Sequence, residues 1–496
     1  MTGLLSLPIE LLQEIGFETA DKTLRLVCKR INFALEPRIL STIGLSSTYL
    51  PSQVENLATA EPKPTPISKY ATQLNICGFY PLLNRHRNLV SEEETKIKSF
   101  LVPAIGSLTG VRKVFWLLRA SDPAWAILQV FDALASLPFL KDLHMRCWSV
   151  SDPSLQLRRL PHLENLTFIR ESWQANDRIT IIPIARLIGW SQPKLTTLVI
   201  ADHQYFNTPR LNDYLSESST TSVFLNITHL SLKGLFVKVD AIVLPHLKSL
   251  VSLTTEGIFS PQDQVSGNQG AVFSSGNVWS VLRLEKIHLQ EIVTDDVQLP
   301  LIEYLTSFSG LRRLRLNRAS SYCTLPLVSD QLGIKFYERG LQNHIHSLDS
   351  LEINTNFDGN WCFASHCSSI IKKCTRLTFL ELPINSQDMA EEKDDELDDS
   401  SVSGDNVIWS LLDICTTHPA LKTLKLFSTS PERSRGFRAT HLARANAKIS
   451  RSVRSYKPIT SSHAFRIFIL LDEFELRRDE LGMNLEYRRV GRITQH

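Results

Sequence analysis

The segment best equipped to bind a metal is the run CFASHCSSIIKKC, which carries three cysteines and one histidine at Cys362, His366, Cys367 and Cys374. Structural zinc sites use paired Cys-x-x-Cys ligands or a fixed histidine spacing, and this run has neither. In a helix, Cys367 and Cys374 share one face with two isoleucines at spacings of three and four. The pattern therefore favours packing in a hydrophobic core over a metal site.

A second pair of possible ligands is His344 and His346, which lie two residues apart near a predicted helix end. Residues two apart do not share a helical face, so we expect no metal site there. The chain also lacks a Gly-x-x-x-x-Gly-Lys-Ser/Thr phosphate loop, a Gly-x-Ser-x-Gly elbow and a His-Glu-x-x-His helix. We expect a non-enzyme without catalytic residues, metal or cofactor; the alternative is an enzyme whose pocket one sequence does not reveal.

The composition indicates a large core and a reducing compartment. The chain has 496 residues, 43% of them hydrophobic. It can therefore bury a core larger than one compact domain usually holds. Its net charge of +3 is too small to predict a nucleic-acid partner. Eight scattered cysteines are typical of a reducing environment. With no apolar run long enough for a membrane span and no basic residue before Lys22, we expect an intracellular protein of the cytoplasm or nucleus without a membrane partner.

A short pattern recurs along most of the chain: apolar, two variable residues, apolar, one variable residue, apolar. The final alternation has period two and predicts a short strand with both apolar residues on one face. Helix-patterned segments such as AWAILQVFDALASLP lie between copies. Weaker copies begin at Ala71 and Leu247. The ten clear copies begin at Val111, Leu140, Leu163, Leu195, Ile227, Leu284, Leu311, Leu348, Leu377 and Leu421.

These strand–helix units, roughly thirty residues long, predict an α/β fold of the leucine-rich repeat solenoid type, a curved parallel sheet with outer helices. A doubly wound α/β sheet would also alternate strands and helices. Its strands are covered on both faces and usually read as continuous Val and Ile runs. Here the residue between the paired apolar positions is commonly polar, so one face of each strand meets water. The solenoid is therefore favoured.

The polar residues of these strands predict an exposed concave face that binds a partner protein. Alternatively, the face is polar only because it is exposed, and Arg315 pairs with Glu352 on the next strand. Such a cross-strand pair contributes about 0.2–1 kcal/mol. The candidate substrate-binding residues are His144, His288, Arg313, Arg315, Glu352, Glu381 and Lys425.

Composition changes suggest the domain boundaries. We expect a helical module over 4–43, a Pro-containing connector over 44–70, the solenoid over 71–430 with loops at 260–277 and 388–405, and a basic segment with a C-terminal cap over 431–496. The 388–405 loop has nine carboxylates and one lysine, which predicts a solvated insertion or a docking site for a basic partner.

The C-terminal part of the chain begins with a basic segment, 433–457, which has eight Arg or Lys and no acid. It is either simply solvated or serves nuclear import or an acidic partner. The run HAFRIFILLDEFELRRDEL after it predicts a final strand and helix that cap the core.

The N-terminal stretch LPIELLQEI begins at Leu7 and is patterned as a short helix. Pro8 suits the first helical turn, and Leu11, Leu12 and Ile15 form an apolar stripe that Gly16 is expected to end.

A second helix is expected to follow, capped by Asp21 and stopped by Pro37. Two helices this short do not fold in isolation. The apolar stripe of the second helix comprises Leu24, Val27, Cys28, Ile31 and Leu35.

LPIELLQEI, followed by LRLVCKRI and EPRIL, resembles the F-box over about residues 4–43, and the whole chain is similar to fungal F-box proteins with irregular leucine-rich repeats. The turn between the helices is shorter than in the family pattern. The resemblance implies that the helices bind a Skp-type adaptor, which links to a cullin-based ubiquitin ligase, while the solenoid holds a protein substrate. Alternatively, the helices only cap a non-catalytic scaffold. The adaptor-binding residues implied by position are Leu7, Pro8, Ile9, Leu11, Leu12, Ile15, Leu24, Val27, Cys28 and Ile31.

Overall fold

The computed structural model divides the chain into two compact units, residues 1–235 with 240–249 and residues 236–239 with 250–496. No helix among the described residues is long and apolar enough to cross a bilayer. The structure describes residues 7–19, 28–46, 49–59, 65–79, 92–119, 121–148, 160–171, 178–191, 194–203, 209–219, 224–257, 277–319, 326–386, 406–430, 438–458, 464–478 and 485–492.

The first unit begins with two helices and continues as alternating strands and helices. Its helices are α1 (Ile9–Thr19), α2 (Lys29–Ile39), α3 (Leu50–Ala58), α4 (Pro66–Tyr70), α5 (Glu92–Gly106), α6 (Ala124–Ser136), α7 (Arg178–Trp190) and α8 (Leu211–Ser219). Its strands are β1 (Thr42–Leu45), β2 (Gln73–Ile76), β3 (Lys113–Leu118), β4 (Asp142–Cys147), β5 (Asn165–Arg170), β6 (Thr197–Asp202) and β7 (His229–Lys233).

Strands β1 to β7 pair in parallel in their order along the chain. The register aligns equivalent apolar positions, so that Leu143, Leu166 and Leu198 are direct neighbours. All three are fully buried. Helices of successive units also contact one another, as α5 does with α3 and α6. Each apolar row is therefore covered by a helix layer, which is how a solenoid shares its core among repeats.

The second unit contains the remaining elements. Its helices are α9 (Val278–Leu284), α10 (Leu299–Thr306), α11 (Pro326–Lys335), α12 (Ser365–Lys373), α13 (Val407–Thr416) and α14 (Arg438–Ser455). Its strands are β8 (Ser252–Glu256), β9 (Glu291–Thr294), β10 (Arg313–Leu316), β11 (Ser350–Ile353), β12 (Phe379–Ile384), β13 (Thr423–Ser428), β14 (Arg466–Ile469), β15 (Asp472–Arg478) and β16 (Leu485–Arg492).

Strands β8 to β14 pair in parallel in chain order, again with aligned leucines such as Leu314, Leu351 and Leu380. Helices α12, α13 and α14 pack side by side. Both units thus show the predicted α/β leucine-rich repeat architecture, and nine of the ten clear repeat copies begin two residues before a strand. The fold class is confirmed.

The region predicted to be a connector, 44–70, instead contains regular structure. Strand β1 pairs with β2 in parallel, and helices α3 and α4 follow it. The sheet therefore starts at Thr42, about thirty residues before the predicted start of the solenoid. The prolines mislead because Pro51 and Pro66 lie in the first turns of α3 and α4, where the missing N–H costs nothing. The predicted loops at 260–277 and 388–405 lie outside the described residues, apart from Asn277.

The copy beginning at Leu284 is not a strand, which corrects the prediction there. Leu284 ends α9, and the strand begins at Glu291. The weak copy at Leu247 is likewise out of register, since β8 begins at Ser252. In both true strands a buried threonine occupies the last core position, and the Thr255 hydroxyl donates to the Thr294 hydroxyl at 2.8 Å. A pattern that requires an apolar residue at that position therefore misses both strands.

The C-terminal helix predicted after β14 is also wrong, because β15 and β16 form an antiparallel extension there. The turn between β14 and β15 is Leu470–Leu471, and Leu470 has a left-handed φ of 54°. Ile467, Ile469 and Phe474 are buried. This alternation with period two fits strands better than a helix.

Candidate functional site

Side-chain bonds to the backbone fix the α1–α2 helix pair. The Arg30 guanidinium donates to the carbonyl of Leu7 at 2.9 Å, and the Gln13 amide donates to the carbonyl of Ala34 at 3.3 Å. Cys28 is the N-cap of α2, and its sulfur accepts a hydrogen bond from the Ile31 N–H at 3.5 Å. The sequence that resembles the F-box therefore folds as a packed helix pair.

The interior of the pair is apolar. Leu12 and Ile31 are each 3% exposed and pack with Ala34 and Leu35. Both Leu12 and Ile31 are among the predicted adaptor contacts, but the structure assigns their side chains to the interior of the pair, where they stabilise it. The predicted contacts Leu7, Ile9 and Cys28 are partly buried around this cluster together with Ile39.

The helix ends differ from those expected from the sequence. Gly16 lies inside α1, and Pro37 lies inside α2 two residues before its end, so neither residue stops its helix. The described part of the second helix begins at Lys29, after the Cys28 cap, rather than near Asp21. Leu24 and Val27 lie outside the described residues.

Each helix of the pair exposes one large apolar side chain. Leu11 is 48% exposed on α1, and the neighbouring predicted contacts Pro8 and Ile15 are exposed and half-buried, respectively. Phe33 on α2 is 61% exposed and was missed by the sequence prediction. Its signal was available: Phe33 lies between the buried positions 31 and 34, on the side of the helix that the apolar stripe does not occupy. Phe is enriched in protein–protein interfaces, so the exposed Phe33 is a candidate contact for a protein partner.

The pair is attached to the first repeat. Helix α2 packs on α4, and α4 leads directly into β2. The two-residue segment between α2 and β1 is held as well, because the carbonyl of Ser41 accepts hydrogen bonds from the backbone N–H groups of Thr72 and Gln73 at 2.9 Å. The pair therefore also covers the start of the repeats.

The exposed strand face of the first unit is aromatic as well as polar. The ring of His144 on β4 stacks on Phe115 of β3, with centroids 4.5 Å apart, and the Lys113 ammonium lies 4.7 Å from the Phe115 centroid. Burial, with the Lys113 charge adding to it, lowers the pKa of His144. Neutral His144 and Phe115 thus offer an apolar contact surface on a predicted binding strand.

The corresponding face of the second unit is charged and internally paired. Glu352 on β11 accepts a hydrogen bond from Arg313 at 3.2 Å, and its second oxygen lies 3.5 Å from Arg315 Nε. The predicted pairing of Arg315 with Glu352 is confirmed. On the next strands, the Lys425 ammonium lies 3.8 Å from Glu381 and 5.1 Å from the ring of Phe379.

This charge pairing limits what the face can do. Burial raises the pKa of Glu381, and the nearby Lys425 charge opposes that shift. The predicted substrate-binding residues Arg313, Arg315, Glu352, Glu381 and Lys425 lie on four successive strands, β10 to β13, and already stabilise one another. A partner that binds here has to compete with existing ion pairs.

The predicted binding residue His288 is not part of either strand face. It follows α9 outside the strands, and its ring stacks on Phe308 with centroids 5.2 Å apart. This placement follows from the register correction described above, since the strand begins at Glu291.

The cysteines and histidines that the sequence offered as metal ligands were checked against their positions in the fold. No group of three or more potential metal ligands occurs among them. Cys367 and Cys374 are fully buried with the isoleucines of α12, as core packing predicts. Burial raises the pKa of Cys367 to about 11 and of Cys374 to about 12. Such thiols stay protonated and unreactive at neutral pH.

Comparisons with known proteins give a distant structural likeness. No family model matches the chain, and no curated protein matches its sequence. A solved structure of the Rad7 and Elc1 complex in yeast aligns over 88% of this chain and 96% of that chain, with a TM-score of 0.35 and 13% sequence identity. A likeness at this level does not establish a shared family.

Proposed function

We propose that the chain is the substrate-recognition subunit of a Skp–cullin–F-box ubiquitin ligase. The α1–α2 pair binds a Skp-type adaptor, which links to a cullin, and the exposed strand faces bind a protein substrate. The observation that carries the proposal is the exposure of Leu11 and Phe33 on a helix pair whose inner sides are already packed. The F-box-like sequence of the same helices supports it.

The exposed apolar area is sufficient for a measurable contribution. Full burial of a Leu or Phe side chain contributes about 1.5–3 kcal/mol. Since Leu11 and Phe33 are about half exposed, burying the rest of each side chain against an adaptor contributes roughly 0.7–1.5 kcal/mol, or about three- to tenfold in affinity per residue.

In this role the protein performs no chemistry itself. The repeats hold the substrate while the adaptor holds the ligase, so the substrate lysines experience a high effective concentration of the activated ubiquitin. The described residues fit this role, because their strongly shifted groups are buried in the core rather than gathered around a cleft.

The test is capture of a purified Skp-type adaptor by the full-length protein. We expect the wild-type chain to retain the adaptor, and Leu11→Glu and Phe33→Glu to weaken binding about tenfold or more each, because a carboxylate replaces a buried apolar contact. Leu128→Glu on α6 and Phe139→Glu are matched controls, since both side chains are exposed in the same unit but far along the chain from the pair. Thermal unfolding checks that every variant is folded.

Two results would contradict the proposal. One is a folded wild-type chain that does not capture the adaptor at micromolar concentration. The other is equal capture of the adaptor by the Leu11 and Phe33 variants and by their controls. That result would show that the adaptor does not bind through the exposed side chains of the helix pair.

A scaffold role is the second candidate, and the contact of α2 with α4 favours it. In that case the helix pair only caps the first repeat. Removal of residues 1–40 distinguishes the two roles. A truncated chain that aggregates, together with a wild-type chain that captures no adaptor, supports the cap; a soluble truncated chain that has lost adaptor capture supports the ligase role.

A further inference from the structure

Strand β16 is the last strand of the second unit's sheet. It pairs with β15 in antiparallel orientation, and no strand among the described residues pairs with its other side. In an antiparallel strand, alternate residues direct both their backbone N–H and their C=O to the same side. About half of the residues of β16 therefore direct hydrogen-bonding groups away from β15. Such an edge is able to pair with a further strand.

The edge strand of the first unit, β1, differs because a side chain of α3 blocks it. The Gln53 amide nitrogen donates to the carbonyl of Gly44 at 3.2 Å, and the Gln53 amide oxygen accepts from the Ser46 N–H at 3.3 Å. Strand β1 is also only four residues long, whereas β16 has eight. The fold thus closes the short edge with its own side chain, which is one of the ways in which proteins protect a sheet edge.

A β-bulge limits the regular part of β16. Phe474 is opposite Arg489, but the preceding Glu473 is opposite Gly491, so Val490 is an extra residue in β16. A bulge twists the strand and interrupts its regular pairing. The regular part therefore comprises residues 485–489, which we call the β16 edge. It can offer roughly four to six backbone hydrogen bonds to a further strand.

Packing holds the β16 edge in place. Tyr487 at its centre is 2% exposed, and the ring centroids of Tyr487 and Phe465 are 5.8 Å apart. Helix α14 packs against β16. On the neighbouring strand β15, Phe474 is fully buried, and the Arg454 guanidinium lies 5.8 Å from its ring centroid. A preformed edge of this kind loses little conformational entropy when a partner binds.

The charge of the region indicates which kind of strand fits. Residues 433–496 contain 14 Lys and Arg against six Asp and Glu, which leaves a net excess of eight positive charges. Within the hairpin, Arg488 lies 2.5 Å from Glu486 and Arg489 lies 2.5 Å from Asp472. These ion pairs are included in the count, so the excess is the net charge of the region. The field of such a region attracts an acidic segment.

The same charge disfavours a second copy of this chain as the partner. Pairing of two β16 strands would bring together two regions that each have eight excess positive charges. Like charges on neighbouring strands are destabilising. The three arginines of β16 thus oppose self-association at the edge and favour a partner of the opposite charge.

We propose that the β16 edge binds a short acidic segment of a partner polypeptide, which joins the sheet as a further strand. Backbone hydrogen bonds select an extended conformation. Carboxylates at alternate positions of the segment lie about 6.6–7 Å apart on one face and supply the charge complementarity. This surface is distinct from the α1–α2 pair and the exposed strand faces, and the inference does not depend on the role of either.

Binding of a labelled peptide to the full-length protein, followed by fluorescence anisotropy, tests the proposal. The probe is a fluorescein-labelled peptide of alternating Glu and Val, about eight residues long. We expect the wild-type chain to bind it, and more weakly as salt rises. Lys in place of every Glu is expected to weaken binding at least about tenfold. Methylation of every backbone nitrogen is expected to do the same, because the peptide then donates no backbone hydrogen bond to the edge.

Two double variants separate a local charge effect from a general one. Arg488→Glu with Arg489→Glu changes the edge strand and is expected to weaken binding of the acidic probe at least about tenfold. Arg477→Glu with Arg478→Glu is the matched control, since it makes an equal charge change at exposed positions of β15, one strand further from the edge. This control is expected to weaken binding less than about threefold, because salt screens the longer distance. Thermal unfolding checks that both variants are folded.

Hydrogen exchange locates the bound peptide without any substitution. We expect the backbone amides of residues 485–489 to exchange more slowly when the acidic probe is bound, because some of them then donate to it. The amides of α14 should be unchanged. Slower exchange confined to α14 would place the peptide on the helix and refute strand addition.

The remaining outcomes also overturn the proposal. Equal losses in the two double variants would show that only net charge matters. Equal binding of the methylated peptide would show that backbone pairing is not involved. A wild-type chain that dimerises without peptide, with slow exchange at residues 485–489, would assign the edge to a second copy. A folded wild-type chain that does not bind the acidic probe would refute the proposal outright.

Discussion

The buried side chain of His344 predicts that the second unit loses stability in mild acid. Its Nδ1 accepts a hydrogen bond from the Leu311 N–H at 3.3 Å, and its Nε2 donates to the carbonyl of Leu305 at 3.0 Å. His344 thereby joins α10 to the start of the next strand, and its ring packs against Phe308 with centroids 4.9 Å apart. Burial lowers the pKa of His344 to about 4, and the bond to Leu305 opposes that shift.

The direction of the effect follows from proton linkage. Because folding lowers the pKa from 6.5 to about 4, the unfolded chain binds more protons between these values. The contribution of His344 to stability is therefore complete above about pH 6.5 and is lost as the pH falls towards 4. Between pH 7.5 and 5.5 the free energy of unfolding is expected to fall by about 1.3 kcal/mol from this residue. With a urea slope of about 3 kcal/mol per molar, the midpoint falls by roughly 0.4 M.

Urea unfolding at the two pH values, followed by tryptophan fluorescence and circular dichroism, measures this change. His344→Gln keeps an amide that donates to Leu305 but does not titrate. We expect this variant to be about 1 kcal/mol less stable at pH 7.5, because the Leu311 N–H loses its acceptor. Its further loss on acidification is expected to be smaller than that of the wild type by about 1.3 kcal/mol.

The matched control is His346→Gln, because His346 is exposed two residues away. This variant should show the same acid-dependent loss as the wild type. The reasoning is refuted if His344→Gln loses as much stability on acidification as the wild type does, since the titrating group would then lie elsewhere.

Three further tests, two of them comparisons of paired substitutions, probe the repeats by thermal and urea unfolding. Gly234→Ala is expected to lower the free energy of unfolding by more than about 3 kcal/mol. Gly234 has a φ of +66°, and an added Cβ would collide with a carbonyl of β6. Gly310→Ala should lower it clearly less, because Gly310 has a φ of +100° but open space around the added Cβ. Thr294→Val should lower the free energy of unfolding by about 2–3 kcal/mol and Thr255→Val by about 1 kcal/mol or less. The difference is expected because the Thr294 hydroxyl also accepts a hydrogen bond from a backbone N–H. Equal losses in the two variants would contradict this reasoning. Glu352→Gln should lower the free energy of unfolding by less than about 1 kcal/mol, and this loss should be smaller in high salt. A loss that does not depend on salt would show that the hydrogen bonds of Glu352 matter more than its charge.

The sequence predicts the repeat architecture because the leucine at the second apolar position is nearly constant in type. Leu143, Leu166 and Leu198 align as direct neighbours, so a one-dimensional pattern reports a three-dimensional row. The prediction of strand positions failed at β8 and β9, where two polar side chains satisfy each other's hydrogen bonds inside the core. Thr255 and Thr294 are buried as a hydrogen-bonded pair, and neither threonine alone shows that its partner exists.

Other features depended on contacts that a linear pattern does not contain. The sequence did not indicate that β1 pairs with β2, because the strand TIGL is too short and weakly apolar to stand out. The helix pair was predicted in outline, but the split between buried Leu12 and exposed Leu11 depends on how α1 and α2 pack.

The short join between α2 and β1 has a geometric consequence for the proposed ligase role. Only Leu40 and Ser41 separate the helix pair from the sheet, and the Ser41 carbonyl is held by two backbone N–H groups. These two hydrogen bonds restrict rotation of a protein bound by the helices relative to the first strands. The distance from such a protein to a substrate bound on β3 or β4 then depends on the number of intervening strands, which are about 4.8 Å apart. Inserting or deleting a repeat would therefore shift the bound substrate by a fixed distance and change which of its lysines is modified.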